Sequence, residues 1–281
     1  MKKKIIALSV AAILLVMAIA GGTYAYLTDT DNATNVMTLG KVDIKQLEYE
    51  RAVDGNGEYI STGTTDKYGY VPSELKEFTQ NKPLYPVVGN IEWVPNYQQS
   101  FGQIGAPGSL TMMAMENVVD KMVFVENVGK SDAYVRTIIA LEQGSVPADK
   151  IWNLVHTSGD ENHWDKQHDV AEGTAITDVT IDGNKYYIIS YTYKGASSAN
   201  YNGILEAGKT SYVNLSQVFM TSEATNEDCI ALDGNNNGVY DILVLSQAAQ
   251  TNGFANANAA LNTAFGEINA ANVVEWFEAL N

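Results

Sequence analysis

Val179-Thr180-Ile181-Asp182-Gly183-Asn184-Lys185-Tyr186-Tyr187-Ile188-Ile189-Ser190-Tyr191-Thr192-Tyr193 is the run that decides the fold class. Its flanks are β-branched and aromatic, side chains that suit a pleated, half-buried surface. Its middle carries Asp-Gly, a pair that accepts positive φ at both central positions of a two-residue hairpin turn. An antiparallel hairpin is expected here. Upstream, the apolar run Lys121 to Glu126, the turn-rich stretch Asn127 to Asp132 and the β-branched run Tyr134 to Leu141 read as a second hairpin. Downstream, Leu205 to Lys209 precedes a run from Thr210 to Met220, and Asp233 to Gly238 separates Ile230-Ala231-Leu232 from Val239 to Leu245. Strand signals spaced by turns over Glu116 to Gln247 predict an antiparallel sandwich or barrel.

Two regions depart from that pattern. Five of the six prolines, at positions 72, 83, 86, 95 and 107, fall in 49–108 among many Gly, Asn and Tyr. This is loop-rich insertion composition, expected to decorate the core. At the other end Phe254, Leu261 and Phe265 recur at helical spacing with Gly266 as a stop, and Val273, Trp276, Phe277 and Leu280 outline a second short helix. The expected organisation is 1–25 signal peptide, 26–48 amino-terminal strand segment, 49–108 insertion, 109–246 β-sandwich core and 247–281 helical segment. The 281 residues carry 17 Lys and Arg against 33 Asp and Glu, a net charge of −16. That polyanion is unsuited to nucleic acid. One cysteine, Cys229, allows no internal disulfide.

Lys2, Lys3 and Lys4 precede 16 residues without a charge, Ile5 to Ala20, and then Gly21-Gly22-Thr23-Tyr24-Ala25. Basic, apolar and small segments in that order form a secretory signal. The apolar run falls short of the roughly 18 to 20 residues of a comfortable span. Cleavage is expected between Ala25 and Tyr26, with membrane attachment only through an uncleaved signal. The segment from Gly21 through Tyr26-Leu27-Thr28-Asp29-Thr30-Asp31, Ala33-Thr34-Asn35 and Met37 to Gly40-Lys41-Val42-Asp43-Ile44 resembles the amino-terminal signature of the TasA/camelysin family, and Met122 to Gly129 with Tyr134 to Glu142 more loosely resemble its paired core strands. The resemblance implies a mainly β fold, an antiparallel jelly-roll-like β-sandwich. It also implies secretion from a Gram-positive bacterium through a SipW-type signal peptidase, and assembly into biofilm matrix fibres.

The sequence also offers a mechanism. Val36, Thr38, Gly40, Val42 and Ile44 share one strand parity, with Met37 and Leu39 on the other. In the resembled matrix proteins the freed amino terminus of one subunit completes the sheet of the next, so Tyr26, Leu27, Val36, Met37, Leu39, Val42 and Ile44 are the expected donor-strand residues. Strand addition pairs unused backbone groups and seats alternate side chains in grooves, and head-to-tail contacts of this kind extend into filaments. Without Lys2 to Lys4 the chain counts 14 basic against 33 acidic residues, or −19. Acid, salt or divalent cations should therefore promote growth. Within one subunit, Gly40 to Leu47 is expected as the first strand of its own sandwich. Self-association is the expected partnership, with other matrix proteins or polysaccharide as further partners.

Other sites were weighed against plainer readings. Asp233, Asn235, Asn237 and Asp241 stand at positions 1, 3, 5 and 9 of a loop with Gly238 at position 6, as in calcium loops, but Val244 occupies position 12. An Asn-Gly-rich tip uses the same residues to reach positive φ. His156, His163 and His168 are spaced by seven and five, and no His-Glu-x-x-His occurs, so no catalytic residue is assigned and no enzyme is expected. A camelysin-like metalloendopeptidase is the alternative. The tyrosines 186, 187, 191, 193 and 201 offer a third reading, a glycan-binding surface module.

Overall fold

The computed structural model describes residues 28–31, 42–64, 73–79, 82–88, 98–100, 109–111, 117–158, 168–170, 175–195, 202–211 and 213–280. The signal segment 1–25, with its cleavage site, lies outside them. Two antiparallel sheets and a few short helices make up the described chain. The larger sheet joins β1 (Thr28–Asp31), β7 (Ala133–Glu142), β9 (His168–Val170), β10 (Ile176–Ile181), β11 (Asn184–Tyr193), β12 (Ile204–Leu205) and β14 (Ile242–Gln250). Its order is β1-β14-β7-β11-β10, with β12 beside β7 and β9 beside β11. The smaller sheet runs β3-β2-β6-β13-β8, built from β2 (Ile44–Arg51), β3 (Leu75–Glu77), β6 (Val119–Asn127), β8 (Val155–Ser158) and β13 (Leu215–Met220). A separate ribbon pairs β4 (Gln98–Ser100) with β5 (Ser109–Thr111). The helices are α1 (Ile151–Leu154), α2 (Asn226–Leu232), α3 (Ala257–Phe265) and α4 (Ala270–Glu278).

Strand alternation turns these elements into three layers. Val135, Ile139 and Leu141 of β7 pack inward with side chains of the smaller sheet such as Met122, Phe124 and Val218. Ile138 and Ala140 face the other way, onto Val273 and Phe277 of α4, while Tyr134 meets Ala260 and Leu261 of α3. All ten residues of β7 are buried because both of its faces are covered. The two carboxyl-terminal helices thus pack on the sheet as their apolar spacing predicts, each opened by an asparagine whose side chain accepts a backbone N–H, Asn256 from Ala259 and Asn269 from Asn272. Gly266 ends α3 with φ at 91°.

The Asp-Gly hairpin forms as read. Asp182 and Gly183 have φ of 49° and 88°, and β10 pairs with β11 from Ile181↔Asn184 outward. The other expected hairpin does not form: β6 pairs with β2 and β13, whereas β7 pairs with β14 and β11 in the opposite sheet. Residues 128–132 are a corner between layers. Asn127, fully buried, holds that corner by donating from Nδ2 to Ser131 O and Leu205 O and accepting from Gly129 N. Ile230-Ala231-Leu232, read as a strand, instead ends helix α2, which begins at a capping box formed by Thr225 and Asp228. Part of the 49–108 region adds β3 to the edge of the smaller sheet, where Glu50 is bridged by Lys76 and Lys82.

Two rungs of the β7–β14 ladder are polar. On the inner face Thr137 opposes Ser246, and a chain of donors runs Asn214 to Thr137 (2.8 Å), Thr137 with Ser246 (3.3 Å), Ser246 to Gln46 (2.9 Å) and Gln46 to Glu48 (2.8 Å), ending at the Glu48 carboxylate, which also accepts from Lys121. On the helix face Arg136 opposes Gln247 and donates to its Oε1 (2.6 Å), to Asn262 Oδ1 (3.0 Å) and to Gly266 O (3.0 Å). Burial lowers the Arg136 pKa to about 10, still well above neutrality. The carboxyl end of α3 supplies carbonyl charge of the right sign.

The end of β7 meets α2 at close range. Gly144 has φ of 56°, and a Cβ there would lie 2.1 Å from Ala231 O. Replacing Gly144→Ala should cost about 1–3 kcal/mol from overpacking, with strain at positive φ added. Urea denaturation read by far-UV circular dichroism checks this.

Candidate functional site

The strand segment singled out by the sequence divides between two places. Val42 and Ile44 are buried in the core between the sheets, Ile44 as the first residue of β2, so in this subunit both serve their own sandwich. The first strand of the smaller sheet therefore begins at Ile44, within the expected Gly40 to Leu47. Tyr26, Leu27, Val36, Met37 and Leu39 lie outside the described residues. Between them, β1 runs antiparallel along β14, from Thr28↔Ala249 to Asp31↔Ser246.

That pairing covers one half of β14. Ile242 to Leu245 have β7 on one side, and among the described residues no strand flanks them on the other. An open groove of about 1510 Å³ is lined by residues of β14 and β2, with the apolar Ile230, Val239 and Val244 and the charged Lys45, Glu48 and Lys121 among them. Ile230 is 69% exposed and Val239 44%, so the groove offers apolar surface to solvent.

The loop leading into β14 is tightly organised. Asp233 accepts from Asn237 N at Oδ1 (3.0 Å) and from Gly238 N at Oδ2 (2.8 Å). Asn235 Oδ1 also accepts from Asn237 N (3.0 Å), and Asn237 Oδ1 accepts from Val239 N (2.7 Å). Asn236 and Gly238 have φ of 56° and 76°. Asn235 Nδ2 donates to Asp241 Oδ2 (3.0 Å), which brings all four calcium-candidate residues into one loop. Glu142, missed in the sequence, holds both ends of it: its carboxylate accepts from Gly234 N (2.8 Å) and Asp241 N (2.9 Å). Burial pushes the Glu142 carboxyl above its ordinary range, the two N–H groups oppose the shift, and Asp241 and Asp233 add to it.

The remaining sequence candidates are scattered. His156 lies on β8 and His168 on β9, in different sheets, and His163 is outside the described residues. Among the described residues, no group of three or more His, Cys, Asp or Glu is gathered to hold a metal ion. Tyr186, Tyr191 and Tyr193 are buried, so they form no sugar-stacking face. Tyr187 stacks on Trp152 with ring centroids 6.4 Å apart, and Tyr201 lies outside the described residues. No helix among the described residues is long and apolar enough to cross a membrane.

The described residues thus define a mainly β protein of two antiparallel sheets. Residues 1–54 match the family described as camelysin metallo-endopeptidase, so the likeness to the TasA/camelysin family holds over that span. The matched span takes in β1 and β2 and contains neither histidine nor cysteine. No curated protein and no solved structure matches the chain.

Within the loop, the Tyr240 hydroxyl is buried with no hydrogen-bond partner among the described residues, and burial raises its pKa well above the usual value. Tyr240→Phe should therefore be neutral or stabilising by up to about 1 kcal/mol, since it removes only an unsatisfied group. A thermal melt compared with the unmodified protein measures it.

Proposed function

We propose that the protein is a secreted structural subunit of extracellular matrix or cell-surface fibres of a Gram-positive bacterium, assembled head to tail by strand exchange after cleavage between Ala25 and Tyr26. The observation that carries the reading is the pairing of the amino-terminal strand β1 along the edge of β14, at Ser246 to Ala249, next to a groove lined by residues of β14 and β2. Strand order supports a jelly-roll description: β14 lies between β1 and β7, and β13 between β6 and β8, with β2 and β10 as additions. The likeness over residues 1–54 supports export through a SipW-type peptidase. A metalloendopeptidase reading has in its favour the description of the matched family, while among the described residues no group of ligands is gathered for a metal ion.

The expected outcome is that protein beginning at Tyr26 forms filaments at low pH and high salt, where the charge of −19 is neutralised or screened. Protein lacking Tyr26 to Asn35 should stay monomeric. Light scattering and electron microscopy distinguish them, and identical behaviour of the two proteins would sink the donor-strand reading.

A smaller proposal concerns calcium. Each side-chain oxygen of Asp233, Asn235 and Asn237 that accepts a backbone N–H keeps a second lone pair, which is how calcium loops are built. Calorimetry with millimolar calcium should give saturable heat that Asp233→Ala abolishes. A flat titration of the unmodified protein removes calcium from the account.

A further inference from the structure

We propose that Asn252 is a site of slow covalent self-modification: its side-chain amide is lost through a cyclic imide that water then opens, while the fold protects every other Asn-Gly pair of the chain. This property does not depend on whether the protein forms fibres.

The chemistry belongs to the Asn-Gly pair. The glycine nitrogen, ionised, attacks the asparagine Cγ and closes an imide; the side-chain nitrogen leaves as ammonia and carries away the proton that the glycine nitrogen gave up. Water opens the ring at either carbonyl, returning a proton to the nitrogen and leaving aspartate or isoaspartate, in which the main chain runs through Cβ. Nothing is oxidised or reduced. Glycine suits the second place because it has no Cβ to crowd the nitrogen and ranges widely in φ and ψ. The chain holds four such pairs, Asn56-Gly57, Asn202-Gly203, Asn237-Gly238 and Asn252-Gly253. Dipeptide chemistry alone favours none of them.

The fold separates them. Gly238 N donates to Asp233 Oδ2 (2.8 Å), and Asn237 Oδ1 accepts from Val239 N (2.7 Å). Ionising that nitrogen would set one anion against another, the Asp233 carboxylate. Gly203 N donates to Lys194 O (2.6 Å), and Asn202 Oδ1 accepts from Ile204 N (3.0 Å). Gly57 N donates to Asp54 O (3.1 Å), and the Asp54 carboxylate accepts from Asn56 N (2.8 Å) and Asn56 Nδ2 (3.5 Å). In each pair the nucleophile is tied to an acceptor.

Asn252 and Gly253 are different. They form the middle of the turn from β14 to α3, closed by a long bond from Phe254 N to Thr251 O (3.4 Å). Both are exposed, and among the described residues neither the Asn252 side chain nor the Gly253 N–H has a hydrogen-bond partner. Gln250 Nε2 donates to Asn252 O (3.2 Å), which touches neither reacting group. A Cβ built on Gly253 would meet nothing within 4 Å, so base and water reach the nitrogen freely. Conversion adds a negative charge at this corner, and isoaspartate lengthens the backbone between sheet and helix.

The test holds the folded full chain in mildly alkaline buffer made with heavy-oxygen water and maps its peptides by mass spectrometry over time. A hydrogen bond that must break first slows a step by up to about tenfold, so the Asn252 peptide should take up heavy oxygen about tenfold faster than those of Asn202 and Asn237, and faster than that of Asn56. Fragmentation should show both aspartate and isoaspartate at position 252. In urea, where all four nitrogens are released, the lead should vanish. Asn252→Gln should remove the earliest acidic species from an ion-exchange profile of the aged protein. Equal rates at the four sites of the folded chain overturn the proposal, as does an unchanged Asn252, and a lead that persists undiminished in urea overturns the protection assigned to the fold.

Discussion

The β7–β14 ladder holds the molecule together through two neighbouring polar rungs. Thr137 and Ser246 send a hydrogen-bond chain across the sandwich to Gln46 and Glu48, while Arg136 and Gln247 reach the opposite way to the end of α3. A one-residue slip would exchange the two faces. Arg136 would then enter an apolar inter-sheet core, at a cost of several kcal/mol for an unpaired buried ion. The polar rungs therefore fix register more than they add net stability. Phe265 and Trp276 flank the guanidinium at 5.9 and 4.8 Å, so its position also aligns both carboxyl-terminal helices.

Local chemistry was legible wherever it alone decided the structure. Asp182-Gly183 dictates its turn through positive φ, and the spacing of Leu261, Phe265, Val273 and Phe277 dictates two helices with one apolar face each. The corner after β6 was not legible. A turn-rich stretch between two apolar runs reads alike whether the chain doubles back in one sheet or crosses to another, and partners more than 70 residues away in sequence make the choice. Ile230 to Leu232 misled for a related reason: three apolar residues carry no period, and the capping box three residues upstream of Asp228 was the signal that mattered. The tyrosines of β11 divide by parity between two covered faces, which a one-sided sheet would not have allowed.

The candidate site was half legible. Its loop residues Asp233, Asn235, Asn237 and Asp241 announce themselves by spacing, whereas the carboxylate that clamps the loop, Glu142, sits 91 positions before Asp233 at the end of a fully buried strand. Glu142 is bound by backbone groups, and backbone groups leave no trace in composition.

The partners in the β1–β14 pairing stand at opposite ends of the polypeptide, Thr28 with Ala249. Synthesis runs from the amino terminus, so β1 is made first and β14 almost last, and the leading segment waits for its partner until nearly the whole chain exists. Closing this pair is therefore among the most non-local steps of folding, and a chain cut short before its last strand would leave its first one unseated.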